Sequence, residues 1–383
     1  MAAIPKFSRR GRWVVPAGVV AAVAAIAIAS AITVAQAAPA LPPRTPAQLL
    51  AAAAGTGSVP PLTGTVVETA SLGVPQLPGG QSPTSITSLL AGSHTLKIWY
   101  DGPKRLRLAV PVTMGETDLI RNGTTAWLWQ SSSDSVTKIL IPSHSGGQEP
   151  ALPRTPITPL QAAKQALAAV GPSTRVTTEA NVTVAGQAAY QLVLAPRSSG
   201  SLIGKITIAL DAQHLAVPLR VQVFAKGAAT PAFQVGYTSI SFVTPAASNF
   251  AFTPPTGAHV DTVSPGLPTG WTGYGPGQGP SGELSGARIL GKDWTSVAVL
   301  PAAALSQVAG QGNAAGVAGQ AARSVSGGGG AVNGSAVLGA LLLAAHPVHG
   351  AWGSGKLLHT SLVSMLITSN GHLLIGAVTP SVL

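Results

Sequence analysis

A few residues of this chain have the types and spacing that could support catalysis. Glu116 and Asp118 lie two positions apart in the run "ETDLIRN", so a strand would place both carboxylates on one face. Paired carboxylates can share general acid and base work. A solvated polar face explains the same spacing, and we favour that interpretation. The sequence contains no G-x-S-x-G nucleophile elbow.

Two further motifs are similar to known sites. Residues 350–357, "GAWGSGKL", contain the G-x(4)-G-K of a phosphate-binding loop, but Leu357 stands where Ser or Thr would hold Mg²⁺. We interpret this motif as a turn that enters a strand. His346 and His349 are three residues apart and could share a metal on a helix, but Pro347 between them favours a loop. The sequence therefore predicts no catalytic residue, metal site or cofactor, and we do not expect an enzyme.

Two tryptophans one residue apart raise a different possibility. Aromatic residues make up 4% of the chain, yet Trp127 and Trp129 both lie in the run "TTAWLWQ". In an extended strand, side chains two residues apart point to the same side of the sheet. That side either packs in a core or lines a ligand cavity, because aromatic residues are common in both settings. The sequence leaves these two interpretations open.

The N-terminus predicts export. Basic residues precede residues 14–35, which contain no charge, and Ala35-Gln36-Ala37 has the small-x-small form of a signal-peptidase site. The apolar run of about 22 residues is also long enough to cross a bilayer, so cleavage and anchoring both remain open. We predict that residues 1–37 are a signal peptide or a membrane anchor. The protein would then be exported and extracytoplasmic, either membrane-associated or secreted.

Charge and cysteine content exclude several classes of protein. The formal net charge is +11, but part of it lies in the basic N-terminal segment and the rest is scattered, without interleaved aromatic residues. We therefore expect no nucleic-acid partner. The chain has no cysteine, which excludes disulfides, thiolate metal sites and a cysteine nucleophile.

The middle of the chain predicts a sheet with little helical cover. Strand-like runs separated by Gly, Asn and Pro turns predict an antiparallel meander, and runs such as 205–211 alternate apolar and polar residues. Thr45-Pro46 and Thr158-Pro159 have the form of a cap followed by a first helical residue, and so predict two helices. A sheet of about ten strands must then curl, which leaves an apolar cavity beneath the helices.

The C-terminal part predicts a second unit. Residues 261–283 are rich in Pro and Gly and form a linker. We predict a small α+β domain over residues 284–383. It would contain an apolar helix at "SAVLGALLLAAH" and a hairpin around Asn370-Gly371.

Residues 45–260 resemble a known family. The segment from Asp211 to Leu219, with the pattern D-x(6)-P-L, and the pattern F-x-F-x-P-P-x-G from Phe250 to Gly257 are similar to those of LolA-like proteins. This family includes lipoprotein carriers and the RseB/MucB-type envelope sensors. The resemblance implies a mainly β (α+β) fold, a curved antiparallel half-barrel of about eleven strands with covering helices. In such proteins the apolar interior holds acyl chains.

The resemblance and the expected cavity together predict an extracytoplasmic carrier or chaperone for a lipid or lipoprotein acyl chain. The expected lining consists of Trp127, Trp129, Leu106, Leu108, Ile206, Ile208, Val221 and Val223. The partners would be a lipid or acylated protein and the cell membrane. The alternative is an RseB-like envelope-stress sensor that binds a membrane regulatory protein such as an anti-sigma factor. The small C-terminal unit would then make the contact.

Overall fold

A computed structural model of the protein describes residues 38–54, 59–73, 91–112, 115–141, 157–168, 170–263, 288–301 and 345–383. Residues Ala40–Leu383 form one compact unit. The expected export segment and most of the expected linker lie outside the described residues. None of the described helices has both the length and the apolar character needed to cross a membrane.

The two predicted helices form where the sequence places their caps. The helices are α1 (Pro46–Ala54) and α2 (Pro159–Ala168). The Gln48 amide donates to Thr45 Oγ1 at 3.2 Å, while the Thr45 amide donates to Gln48 Oε1 at 2.9 Å. Thr158 and Gln161 make the same reciprocal pair at the start of α2. Each T-P-x-Q sequence is therefore a capping box with proline at the first helical position.

One large sheet occupies most of the described chain. Its strands are β1 (Leu62–Ser71), β2 (Ala91–Tyr100), β3 (Arg105–Val112), β4 (Gly115–Asn122), β5 (Thr125–Gln130), β6 (Ser135–Leu140), β7 (Thr174–Val184), β8 (Gln187–Pro196), β9 (Ile203–Asp211), β10 (Pro218–Ala225), β11 (Phe233–Ser241) and β12 (His259–Val263). Their order is β12-β6-β5-β4-β3-β2-β1-β11-β10-β9-β8-β7. The sheet is curved and open, with β12 and β7 at its edges.

This sheet confirms the predicted fold class, a mainly β protein with a curved antiparallel sheet and covering helices. It has twelve strands where the resemblance implied about eleven. The strand at one edge, β12, pairs parallel to β6, whereas the other neighbours are antiparallel.

Strand register divides the side chains of the large sheet between an inner and an outer face. Ile98 of β2 pairs with Leu108 of β3, and Leu108 pairs with Leu119 of β4. These side chains belong to one buried apolar cluster that includes Leu49 of α1 and Ala163 of α2. We call the face that carries this cluster the inner face. The opposite, outer face is richer in polar side chains, among them Thr65, Lys97, Lys205, Thr207, Gln222 and Gln234.

Residues 242–258, which we call the strap, follow β11 and lead to β12. A short 3₁₀ turn in the strap lies against β3 and β4, and it ends at Phe250, which is 1% exposed. Phe252 then packs on the outer face, with ring centroids 5.6 Å from Trp127 and 6.4 Å from Trp129. The two phenylalanines of the pattern F-x-F-x-P-P-x-G therefore hold the strap against the large sheet.

A smaller sheet follows in the C-terminal part. Its strands are β13 (Arg288–Leu290), β14 (Val297–Pro301), β15 (His346–Gly350), β16 (Gly353–His359), β17 (Ser364–Thr368) and β18 (His372–Gly376), in the order β13-β14-β18-β17-β16-β15. The predicted hairpin at Asn370-Gly371 joins β17 to β18, with Gly371 at a φ of +83°. Residues 350–357 turn from β15 into β16, so the apparent phosphate-binding loop is a hairpin. Most of the expected apolar helix, residues 335–344, lies outside the described residues, and the domain boundary at 284 stays a prediction.

The smaller sheet is attached to the large one near β7 and β9. The Leu202 amide, just before β9, donates to the Ala377 carbonyl at 2.9 Å. The indole N–H of Trp294 donates to Thr174 Oγ1 at 2.7 Å, and both side chains are buried. These bonds fix the position of the two sheets within one compact unit.

We predict that Phe250→Ala lowers the free energy of unfolding by about 3 to 5 kcal/mol, because it removes a fully buried ring that holds the strap. Val243→Ala is the matched control, since Val243 lies in the same strap with 71% of its surface exposed. Urea unfolding measures both variants. Equal effects for Phe250→Ala and Val243→Ala would show that the strap does not stabilise the sheet.

Candidate ligand-binding face

Six of the eight predicted lining residues lie on the inner face. They are Leu106 and Leu108 on β3, Ile206 and Ile208 on β9, and Val221 and Val223 on β10. Val221 pairs with Ile208 and Val223 pairs with Ile206, so these four side chains adjoin one another. The structure therefore places the six on one continuous apolar surface.

Trp127 and Trp129 lie elsewhere, which corrects the expectation that they share a wall with Leu108. Leu119 pairs with Leu128 on the inner face, so the tryptophans on either side of Leu128 point to the outer face. There they pack against Phe252 of the strap. Packing beneath the strap, and not the inner face, thus explains the closely spaced pair.

The six inner-face residues differ in how deeply they are covered. Leu108, Ile206, Ile208 and Val221 are at most 7% exposed, whereas Leu106 and Val223 are half-buried. A ligand reaches the first four only if the covering elements move. The half-buried side chains are accessible without such movement.

Two aromatic residues that sequence reasoning missed extend the accessible part of this face. Tyr100 pairs with Leu106, and Phe233 pairs with Val223, and all four side chains are half-buried against the core. We call these four residues the inner rim. Tyr100 is in phase with the buried Ile98 in the run "HTLKIWY", so alternation alone could have identified it.

The described helices cover part of the inner face. α2 lies against β10 and β11, while α1 lies against β7 and β8. α2 approaches the sheet with the small side chains Ala162, Ala163 and Ala166, each buried. Small residues allow a helix to lie close to a sheet, but each contributes little apolar area, about one methyl group. α2 therefore lies close to the sheet but buries little apolar area against it.

One carboxylate is buried within the inner face. Glu68 of β1 is 4% exposed and accepts a hydrogen bond from the Ile157 amide at 2.8 Å. Ile157 directly precedes the Thr158 cap, so this bond ties the start of α2 to β1. Burial raises the pKa of Glu68, and the Ile157 amide and His94 oppose that shift. Glu68 lies two residues after the buried Val66 on the same strand, so alternation along β1 could have predicted that it faces inward.

The paired carboxylates predicted on one strand face do lie together on the outer face, but Arg107 holds them. Arg107 Nη2 lies 2.6 Å from Asp118 Oδ2 and 3.6 Å from Glu116 Oε1. Asp118 is 4% exposed, so the expectation of a solvated pair is wrong for this residue. Burial and the Asp118 carboxylate raise the pKa of Glu116, with Arg107 and Lys97 acting in the opposite direction. No group of three or more potential metal ligands occurs among the described residues.

Comparison with known proteins identifies similar structures only. No family model matches the chain, and no curated protein matches it. The similar solved structures include the Pseudomonas aeruginosa MucA/MucB complex, at 14% identity and a TM-score of 0.36, covering 87% of this chain and 92% of that one. A LolA superfamily protein from Nitrosomonas europaea has 10% identity and a TM-score of 0.22, covering 55% and 99% of the two chains.

A third similar structure is LprF from Mycobacterium bovis, at 13% identity and a TM-score of 0.28, covering 56% of this chain and 97% of that one. These similar structures include MucB and a LolA superfamily protein, and residues 45–260 resemble LolA-like proteins in sequence. At these TM-scores the likeness assigns no function to the chain.

We predict that the contribution of Glu68 to the free energy of unfolding falls as pH rises above the usual Glu value of 4.5, because burial raises the pKa of Glu68. Between these two pKa values the native state binds more protons than the unfolded state, so stability is fully present below the window and is lost across it. Glu68→Gln keeps an oxygen that accepts from Ile157 but removes the ionisation. Chemical unfolding at several pH values should show a flatter profile for this variant.

Glu179→Gln is a control of opposite sign. A hydrogen bond from Lys205 lowers the pKa of the exposed Glu179, so its contribution is present above the usual pKa and is lost as pH falls. A Glu68→Gln profile that parallels the wild type would contradict the burial argument.

Proposed function

We propose that the protein is an extracytoplasmic carrier or chaperone that binds the acyl chain of a lipid or acylated protein on its inner face. The observation that supports this most strongly is the continuity of that face. The six predicted residues, with Tyr100 and Phe233, belong to or pack against one apolar cluster, and two short helices cover its part over β7, β8, β10 and β11. The predicted export of residues 1–37 supports an extracytoplasmic location. The proposed activity is binding, with no catalytic step.

The two pairs of the inner rim lie toward opposite ends of β1, since Tyr100 pairs with Leu62 and Phe233 pairs with Ala70. Entry of the ligand would begin at either pair and continue along the inner face to the part beneath α2. Each buried methylene group of an acyl chain contributes about 0.8 kcal/mol, so a chain of ordinary length can offset the loss of the α2 contacts. The alanines of α2 offer little area to lose. The hydrogen bond between Glu68 and the Ile157 amide holds the helix start in place while the rest of α2 moves.

We predict that Leu106→Arg and Val223→Arg each weaken binding of a fluorescent fatty acid by at least about ten-fold, because an arginine on the inner rim places charge in the path of the chain. Val243→Arg is the control, since Val243 is exposed on the strap. Fluorescence titration of the purified protein measures the affinity. Circular dichroism confirms that each variant is folded.

Native mass spectrometry of the purified wild-type protein provides an independent check. The proposal predicts that a lipid copurifies or that added fatty acid binds at one chain per protein. Failure to bind any fatty acid, phospholipid or acylated peptide would contradict it, as would equal affinity in the Leu106→Arg and Val243→Arg variants.

The sensor alternative has one observation in its favour. The edge strand β13 of the smaller sheet exposes Ile289 by 76% and Leu290 by 55%. Exposed apolar residues on a sheet edge are a common interaction surface, because the edge also presents unpaired backbone groups. A membrane regulatory protein could add a strand or an apolar segment there.

We predict that Ile289→Lys with Leu290→Lys leaves fatty-acid affinity unchanged, because both residues lie outside the inner face. If the protein is instead a sensor, this double variant alters the envelope-stress response of a cell that produces it. A reporter for that response distinguishes the two functions. If the wild-type protein supports the response and the double variant supports it equally well, β13 is not the contact.

A further inference from the structure

The outer face contains a depression that is separate from the inner face. Its volume is about 240 Å³, and it lies over β11, β1 and β2. The side chains around it are Thr63, Thr65, Lys97, Trp99, Ser239 and Ser241. Because each of them alternates with a residue of the inner face, all six project from the outer face.

The floor of the depression is the backbone around Gly64. On the inner side of Gly64 the Tyr237 ring lies so close that an added Cβ would be 2.7 Å from it. The ring therefore supports the floor from beneath. A bulge at Thr238 accompanies this packing, since the register shifts between Thr65 and Val66 and the Thr238 hydroxyl donates to the Thr65 carbonyl at 3.2 Å. Bulges commonly redirect side chains beside binding sites.

The walls combine unused hydroxyl groups with an aromatic ring. Within the described part of the chain, no hydrogen bond engages the hydroxyls of the two threonines and two serines that surround the depression. Trp99 is half-buried, and its ring is held on the β3 side by Arg107, whose guanidinium carbon lies 5.1 Å from the ring centroid. Asp118 fixes Arg107 in turn. The indole is therefore preorganised.

Local charge argues against an anionic ligand. Lys97 and Arg107 are the cations near Trp99, and Glu116 and Asp118 are the carboxylates that act on them. These four charges sum to zero around Trp99, and Lys97 is the one charged residue among those that line the depression. An uncharged ligand that is rich in hydroxyls fits this balance better than a phosphate or sulfate.

We propose that this depression binds a neutral pyranose sugar. The C–H groups of a pyranose pack on an aromatic ring such as Trp99, and its hydroxyls exchange hydrogen bonds with Thr and Ser hydroxyls. Sites for drug-sized ligands measure about 300–1,000 Å³, so a depression of 240 Å³ suits one sugar ring. The sugar binds independently of the acyl chain, because the two lie on opposite faces of the sheet.

The test is titration calorimetry, together with saturation-transfer NMR, on the full chain. The ligands are glucose, galactose, mannose and N-acetylglucosamine and their trisaccharides. We expect at least one of these to bind saturably at one site, with a dissociation constant of about 1 mM. A trisaccharide that binds more tightly than its monosaccharide would identify a glycan as the source. Equal affinity for the trisaccharide and the monosaccharide would identify the free sugar as the source.

Matched variants locate the site. Trp99→Ala and the pair Ser239→Ala with Ser241→Ala should weaken sugar binding by at least about ten-fold, while Trp99→Phe retains it because a ring remains. Thr95→Ala is the control, since Thr95 is an exposed residue of β2 in phase with Trp99, outside the depression. Thermal unfolding confirms that the variants are folded.

Three results would overturn the proposal. They are no saturable binding of any sugar, undiminished binding in Trp99→Ala and in the serine variant, and displacement of the sugar by inorganic phosphate. Fatty-acid affinity should be unchanged in all these variants. A loss of sugar binding therefore remains distinguishable from a failure of the acyl-chain proposal.

Discussion

The apolar inner face of the large sheet must be shielded from water along its whole width. The other elements of the molecule are placed by this constraint. Side chains alternate along each strand, so the inner face collects leucine, isoleucine and valine from β1 to β4 and from β8 to β11. Burial of each such side chain contributes about 1.5 to 3 kcal/mol. Two short helices cover the part of the inner face over β7, β8, β10 and β11. Described residues outside these two helices, among them Leu41, Val59 and Trp294, also pack in or against the cluster. Leu96, Leu108 and Leu119 on β2 to β4 are nevertheless at most 4% exposed, so an apolar guest must displace part of what covers this face.

The two faces of the sheet are held by different means. On the inner face, the alanines of α2 and the buried Glu68 make a contact that is close but modest. On the outer face, Phe250 and Phe252 fasten the strap with large rings, which contribute more apolar area for each residue. The acyl-chain proposal therefore requires movement on the helix side and none on the strap side.

Local signals in the sequence predicted the helices, the sheet class and most of the inner face. The T-P-x-Q capping boxes position α1 and α2 through side chains within one turn, so neighbouring residues are sufficient. Alternation in β9 and β10 placed Ile208 and Val221 correctly because polar residues mark the opposite face of those strands. Sequence patterns therefore succeed where one face is clearly polar.

Two features were not predicted correctly from the sequence, the face of the two tryptophans and strand β12, and both have the same physical cause. Both faces of β5 are apolar, with Leu128 on one and Trp127 and Trp129 on the other, so alternation could not say which face the tryptophans join. Their partner, Phe252, lies more than a hundred residues further along the chain. β12 was missed for a similar reason, since its parallel pairing with β6 depends on the path of the strap. Both features depend on contacts between distant residues.

The central claim is that the inner face, beneath α2 and beside the inner rim, takes up an acyl chain. Photo-crosslinking with a fatty acid that carries a terminal diazirine, followed by peptide mass spectrometry, tests this most directly. The account predicts labelling of inner-face residues of β3, β9 and β10 and of α2, competed by unlabelled fatty acid. Labelling confined to the outer face, or labelling that excess fatty acid does not reduce, would contradict it.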